Sequence, residues 1–277
     1  MAGKLYIVST PIGNLGDMTR RAIEVLAAAD YIAAEDTRRT LALLNSLGIH
    51  GRLISCHEHS GQGRIEEILS FLEGGADVAL CTDAGTPIIS DPGAPLTALA
   101  AQRGIEIVSV PGACAAIAAL TVSAIPAEKF VFEGFLPRDK TRRQAIETAC
   151  SHPYTTVLYE SPHQLSRTLN ELAQICPDRR MALCKELTKL HESVLRGSVL
   201  ELAQRFCEEQ PRGEYVIVLE GAPGEAKKEI SEEEIASLIR DYAKKGMKNK
   251  DAAKTAAQQL GINKNKAYEI MLKTLDT

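Results

Sequence analysis

The chain has 277 residues, 45% of them hydrophobic and 25% charged, and a net charge of −4. That length exceeds what one ordinary core needs and suits two domains plus a small appendage, with the composition of a soluble globular protein. No apolar run approaches the ~20 residues of a membrane span, no signal-like segment precedes the first apolar run, and seven scattered cysteines without C-x-x-C read as reduced thiols rather than a disulfide frame or zinc site. The expectation is a cytoplasmic protein with no membrane partner and no metal.

The charge is unevenly spread. From Arg240 to the end there are nine basic residues against four acidic ones, a net of +5, which leaves −9 on residues 1–239. A basic appendage on an acidic body points to a polyanionic partner reached through the tail. On charge alone a solvated helical surface fits as well.

In the first half, short apolar runs bounded by turn residues read as strands: Leu5–Ser9, Tyr31–Ala34, Arg52–Ser55, Val78–Cys81 and Ile105–Val110. Between them, apolar residues fall at helical spacing over Arg20–Ala29, Thr37–Leu47, Arg64–Leu72 and Leu96–Arg103. Such alternation predicts a largely parallel, helix-covered sheet, whose ligands sit at the carboxyl ends of the strands. The oddest loops lie at such ends: Thr10–Asn14, Asp83–Pro87 and Pro111–Ala113.

Ser123–Ala127 reads as a connection. The pattern then restarts, with strands at Lys129–Glu133, Thr155–Tyr159, Met181–Lys185, Ser193–Leu195 and Tyr215–Glu220, and helices at Lys140–Ala149, Gln164–Ile175 and Val199–Cys207. A hairpin-like pair among the crossovers predicts a mixed sheet. Gly221–Glu229 has linker composition. Three helices follow, Glu232–Lys245, Lys250–Leu260 and Lys264–Leu275, with Gly261 at a helix-turn-helix corner. Ala252, Ala256, Leu260, Ile262, Tyr268 and Leu272 are the expected core of this tail, with Lys250, Lys254, Lys264 and Lys266 facing outward. The predicted domains are 1–124, 125–222 and 230–277.

Taken singly, each loop has a plain reading: a strand-to-helix turn at Thr10–Asn14, a helix cap at Asp83, a tightly packed helix start at Pro111–Ala116. His57-Glu58-His59 offers two ligands and no third, so it reads as loop, as does Gly61–Gly63. No G-x-G-x-x-G, G-x-x-x-x-G-K-[ST] or H-E-x-x-H occurs, which weakens dehydrogenase, nucleotide-phosphatase and metalloprotease readings.

Taken together, the loops resemble the tetrapyrrole-methylase-like class of S-adenosylmethionine enzymes. Within it, the strings Leu5–Leu15, Ala33–Arg38, Thr82–Pro87, Pro111–Ala116, Glu133–Pro137, Tyr159–His163, Lys185–Lys189 and Arg212–Tyr215 resemble the small-subunit ribosomal RNA methyltransferase I family. Members of that family 2′-O-methylate a cytidine in the decoding region. The strings run in order over most of the chain, and Thr82–Pro87 departs from the Gly-Asp-Pro usual in the tetrapyrrole enzymes.

The resemblance implies two α/β domains with the cofactor cleft between them, plus a C-terminal helical appendage, in a homodimer acting on small-subunit ribosomal RNA. By motif, Pro11, Thr82, Asp83, Thr86, Cys114 and Ala115 would line the cofactor from the first domain. Tyr159, Glu160, Leu187, Thr188, Glu214 and Tyr215 would approach it from the second.

Methyl transfer to a ribose hydroxyl needs alignment, exclusion of water and a base or cation for the poor nucleophile. Lys185 is the first candidate, because desolvation lowers a lysine's pKa; Glu160 and Glu186 are the others. Arg38, Arg39 and Arg64, with the tail lysines Lys250, Lys254, Lys264 and Lys266, are candidate RNA contacts. Arg138, Lys140, Arg142 and Arg143 join them; such side chains position RNA without reading it. Two other readings stay open: a tetrapyrrole C-methyltransferase, which would not need the basic tail, and a non-catalytic nucleic-acid-binding factor, which leaves the cofactor loops unexplained.

Overall fold

In the computed structural model, which describes residues 2–57, 60–207, 211–223, 231–260 and 262–275, the first half alternates strand and helix. Strands β1 (Lys4–Val8), β2 (Tyr31–Ala34), β3 (Leu53–Ser55), β4 (Val78–Cys81) and β5 (Glu106–Val110) form one parallel sheet in the order β3-β2-β4-β1-β5. Helices α1 (Arg20–Ala28) and α2 (Thr37–Ser46) cover one face through Ala22, Leu26 and Leu44, packed on Val8, Ile32 and Ala79. Helices α3 (Gln62–Glu73) and α4 (Ala94–Gln102) cover the other through Leu69, Leu72 and Leu96, packed on Leu5, Ile7 and Leu80. The inner strands β2 and β4 are buried on both faces, which is why they read as unbroken apolar runs. Thr19 and Asp36 cap α1 and α2 by accepting from the N–H groups of Ala22 and Arg38.

Gly61–Gly63 is not a loop. Gly61 is the N-cap of α3 and Gln62 and Gly63 form its first turn, because burial of Ile68, Leu69 and Leu72 carries the helix back to them. Glu58 and His59 lie outside the described residues.

Helix α5 (Ala115–Ser123) follows β5 but packs on the second sheet, where Ala116, Ala119 and Leu120 meet Val157, Ala182 and Val216. That sheet holds β6 (Phe130–Phe135), β7 (Thr155–Glu160), β8 (Arg180–Lys185), β9 (Ser193–Ser198) and β10 (Tyr215–Leu219) in the order β6-β7-β10-β8-β9. Only β6 and β7 run parallel, so the sheet is mixed as expected. Helices α6 (Arg142–Ser151), α7 (Pro162–Ile175) and α8 (Val199–Arg205) cover its other face. β9 continues three residues past the expected Leu195, since β8 pairs with it through Arg180 opposite Ser198.

Residues 1–222 form one compact body and residues 223–277 a separate unit. In the latter, α9 (Glu232–Lys244), α10 (Asn249–Leu260) and α11 (Lys264–Leu275) enclose Ile235, Ile239, Ala252, Ala256, Ala267 and Ile270. The alanines of α10 let its neighbours approach closely. Leu260, Ile262 and Tyr268 pack only at the edge. Leu272 is 58% exposed, contrary to expectation, because α11 turns Ala267, Ile270 and Met271 inward and leaves the next position outside. Lys250, Lys254, Lys264 and Lys266 are exposed. Ser231 and Glu234 form a capping box, and α9 opens on three glutamates, so the unit's positive charge lies on the end of α9 and on α10 and α11. Gly261 and most of the linker, 224–229, fall outside the described residues. Among the described residues no helix is long and apolar enough to cross a membrane.

Candidate active site

The carboxyl ends of β1, β4 and β5 are sewn together by their loops. The N–H of Thr10 donates to the carbonyl of Gly85 (2.8 Å) and the N–H of Gly85 returns to that of Thr10 (3.1 Å). Gly85 sits at φ 88°, where a side chain would be strained. Thr86 gives its one hydroxyl proton to the Ala113 carbonyl (3.0 Å), so Ser9 is the donor in the 3.0 Å contact between the two hydroxyls. A Cβ on Gly112 would come within 2.8 Å of Ser9 Cβ, so this glycine lets the third loop close on the first.

These loops face the second sheet across a cavity of about 370 Å³, within the range of small-molecule sites. Ile12, Glu35, Asp83–Thr86, Ile89–Asp91, Cys114 and Ala115 line it from one side, and Phe135, Tyr159–Pro162 and Glu214–Val216 from the other. Glu35, Asp83, Asp91, Glu160 and Glu214 are among its lining residues, and no described lysine, arginine or histidine is. Arg39 pairs with Asp83, Lys189 with Glu214, and Arg142 lies 3.9 Å from Glu160. This leaves the excess negative charge with Glu35 and Asp91, a setting that favours a cationic ligand.

Of the residues expected at a cofactor, Asp83, Thr86, Cys114, Ala115, Tyr159, Glu160, Glu214 and Tyr215 line this cavity, whereas Pro11, Thr82, Leu187 and Thr188 do not. Asp83 caps no helix. Its carboxylate accepts from the Asp36 N–H (3.1 Å) and meets Arg39 at 3.1 Å. Burial pushes its pKa up, helped by the charges of Glu35 and Asp36 and opposed by the Asp36 N–H and Arg39. Thr82 is buried behind the wall, with its hydroxyl 2.8 Å from Glu35 and 2.9 Å from Asp91. One hydroxyl proton can serve only one of these two carboxylates at a time. Burial and the neighbouring charges of Glu35 and Asp83 push the pKa of Asp91 up to about 6, against the Thr82 hydrogen bond.

Across the cavity, the Tyr159 ring meets Phe132 and Phe135 edge-on, at centroid distances of 5.0 and 5.5 Å. Burial raises its phenol pKa. Thr188 stands in the turn after β8 at φ 67°, and its buried hydroxyl has no hydrogen-bond partner.

The three catalytic candidates occupy different settings. Glu160 is buried, its oxygens taken by the Thr168 hydroxyl and the Ser161 N–H, with Arg142 at 3.9 Å. Glu186 accepts from Lys189 (2.9 Å) and from the Glu214 N–H (2.9 Å), and Lys189 holds its carboxyl below the usual range. Lys185 carries its ammonium 5.9 Å from the centre of the Tyr215 ring and does not line the cavity.

Arg38 is exposed and pairs with Asp36 through two nitrogens (3.0 and 2.7 Å), Arg39 is 72% exposed, and Arg64 pairs with Glu67 at 2.6 Å. Arg142 is no phosphate contact: it is 2% exposed and bonds Glu171 (2.8 Å), Thr168 (2.6 Å) and the Pro137 carbonyl. A buried guanidinium is kept only where such partners surround it. Reasoning from sequence missed Glu35, Ile89 and Phe135, and it marked the Ser90–Gly93 turn without assigning Ser90 or Asp91 to the site. The available signals were the acid beside Asp36 at the end of β2 and the second turn, Ser90–Gly93, after Thr82–Pro87. Among the described residues no group of three or more His, Cys, Asp or Glu could hold a metal ion.

Residues 4–203 match the family model described as tetrapyrrole (corrin/porphyrin) methylases. The chain is 41% identical over 272 residues to a ribosomal RNA small subunit methyltransferase I of Synechocystis sp., covering 98% of each. It is 41% identical to that of Escherichia coli O157:H7, over 98% of this chain and 95% of the relative. With the Thermotoga maritima protein of the same name it shares 46% identity over 219 residues, 79% of this chain but 99% of the relative. Among solved structures, diphthine synthase superposes with a TM-score of 0.62 at 14% identity, covering 79% of this chain and 90% of that one. The uroporphyrin-III-C-methyltransferase of Thermus thermophilus gives 0.56 at 21%, covering 78% and 94%. These two likenesses carry the fold alone, and the fold is the one expected.

Proposed function

The chain belongs to the tetrapyrrole (corrin/porphyrin) methylase family and, within it, to the ribosomal RNA small subunit methyltransferases I, and from that premise we propose that it methylates the 2′ oxygen of a cytidine ribose in small-subunit ribosomal RNA. Its cofactor is S-adenosylmethionine, which supplies a methyl group already activated on a cationic sulfur. The observation that carries the reading is the character of the cavity: Glu35 and Asp91 in its lining with no described basic residue there, and Ile12, Tyr215 and Val216 in the same lining. This suits a ligand with a flat base, a sulfonium and an ammonium.

The protein's part in such a transfer is to align donor and acceptor and keep water out. The acidic wall would hold phosphates outside, where Arg38 and Arg39, exposed beside Asp36 and Asp83, would meet them. The Thermotoga relative is matched along 99% of its length by 219 residues, about the span of the 222-residue body. This supports methyl transfer by the body, with the tail adding affinity for RNA. A homodimer is part of the same proposal; a solution mass near 30.0 kDa would count against it.

Labelled S-adenosylmethionine incubated with small ribosomal subunits, followed by nuclease digestion, tests the reading. The label is expected in 2′-O-methylcytidine. Label in uroporphyrinogen offered in parallel, and none in the RNA, would replace it with the tetrapyrrole reading.

A further inference from the structure

A second cavity, of about 350 Å³, adjoins the cofactor cavity and shares Glu35, Ser90 and Asp91 with it. It lies beyond the carboxyl ends of β2, β3 and β4, with His57 and Ser60 on one side and the start of α4 at Ala94 on the other. In-line transfer requires the acceptor oxygen on the far side of the methyl group from sulfur, within a few ångströms of it. An acceptor must therefore reach the cofactor from neighbouring space, and this cavity has Glu35, Ser90 and Asp91 in common with the cofactor's. We propose that the second cavity receives the acceptor nucleoside, and that Asp91, on the shared wall, takes the proton of the acceptor hydroxyl. The proposal rests on the methyltransferase reading above and adds to it the acceptor's place and the base.

Three features favour Asp91. It faces both cavities, as Glu35 does, whereas Lys185 and Glu186 line neither and Glu160 has its oxygens engaged by α7 and Ser161. It is held in place: Ile88 and Ser90 before it adopt φ 77° and 65°, rare for side-chain-bearing residues, and a Cβ on Gly93 after it would meet Leu80 at 2.7 Å. Its acidity suits the task, since a base with a pKa of about 6 is ionised at neutral pH yet still accepts a proton. Among the described residues, the polar groups around it are Thr82, Glu35 and Asp83 from the strand ends, His57 and Cys56 across the second cavity, and Tyr159, Glu160 and Glu214 across the first.

In the step, the hydroxyl oxygen forms a bond to the methyl carbon while the carbon–sulfur bond breaks and leaves its pair on sulfur. The hydroxyl proton passes to Asp91. A methyl ether, a neutral thioether and a carboxylic acid result, and charge balances without another reactant. Asp91 then loses its proton to solvent before the next turnover.

The test is single-turnover methylation of small ribosomal subunits at saturating S-adenosylmethionine, from pH 5 to 8.5, with cofactor affinity measured separately by calorimetry. The wild-type rate is expected to rise through about pH 6. Asp91→Asn should lose about 100-fold or more in rate and its rising limb, while still binding the cofactor. Ala94→Trp, at an exposed position on the rim of the second cavity, should raise KM for subunits at least tenfold with cofactor affinity unchanged. A wild-type rate that is flat with pH, an Asp91→Asn rate within threefold of wild type, or an unchanged KM for Ala94→Trp would each overturn the proposal. The first of these needs no variant to fold. Absence of any methylation by the wild-type protein would instead remove the methyltransferase reading, and this inference with it.

Discussion

The backbone N–H of Ala116 donates to the phenol oxygen of Tyr159 across 3.1 Å, so the first turn of α5 is fastened to β7. Tyr159→Phe keeps the ring packing against Phe132 and Phe135 but leaves this partly buried donor without its acceptor. The expected cost is about 1–3 kcal/mol, read as a lower urea midpoint at unchanged m-value. A midpoint equal to that of the wild type would mean that solvent already satisfies the turn.

Asp83 should matter to the cofactor more than to the fold. Its carboxylate lines the cofactor cavity and is only part-buried. Hydrogen bonds to charged groups are worth about 1.5–3 kcal/mol, so Asp83→Ala should weaken S-adenosylmethionine about 10–100-fold in a folded protein. Unchanged affinity in calorimetry would take this loop out of the site.

Asp91 also makes stability depend on pH. Its folded-state pKa of about 6 lies above the ordinary 3.8, so the folded protein binds this proton more tightly than the unfolded chain. The resulting contribution is complete below about pH 3.8 and is lost as pH rises through 6. Relative to wild type, Asp91→Asn should therefore gain thermal stability between pH 4 and pH 8. Parallel melting curves across that range would contradict the assignment.

Arg142 is a test of burial against charge. Its guanidinium satisfies Glu171 and Thr168 and lies 3.9 Å from the buried Glu160. Removing one partner of a buried pair costs about 3–5 kcal/mol, so Arg142→Ala should lower the melting temperature by many degrees. The salt dependence of RNA binding should stay as it is in whatever fraction remains folded. A stable variant with a shallower salt slope would restore Arg142 as a phosphate contact.

The tail lysines should behave in the opposite way. Lys250, Lys254, Lys264 and Lys266 are exposed, so replacing all four with glutamine should leave melting and cofactor binding unchanged. Subunit binding should weaken, and its log–log salt slope should become shallower by up to about 3.6, at about 0.7–0.9 for each lost phosphate contact. An unaltered slope would assign the tail to packing instead.

The residues alone determined most element positions to within two or three places, because burying one face of a helix or both faces of a parallel strand imposes a local period. They also marked the loops after β1, β4 and β5, whose glycines, prolines and short polar residues meet local backbone demands. Departures came where a neighbour distant in sequence decided the outcome. Residues 61–63 joined α3, β9 lengthened along β8, and Leu272 lost its place to Ile270 and Met271. Arg142 and Arg143 are adjacent and chemically identical, yet one is 2% exposed and the other 90%. Only the cover provided by α7 and β7 separates them. The Glu35–Thr82–Asp91 cluster was likewise invisible beforehand, because its members lie 47 and 9 residues apart. They meet because β2 and β4 are parallel neighbours in register at Ala34 and Cys81, which delivers the next residue of each strand to the same point. Shared burial there, not residue type, sets the proton affinity of Asp91.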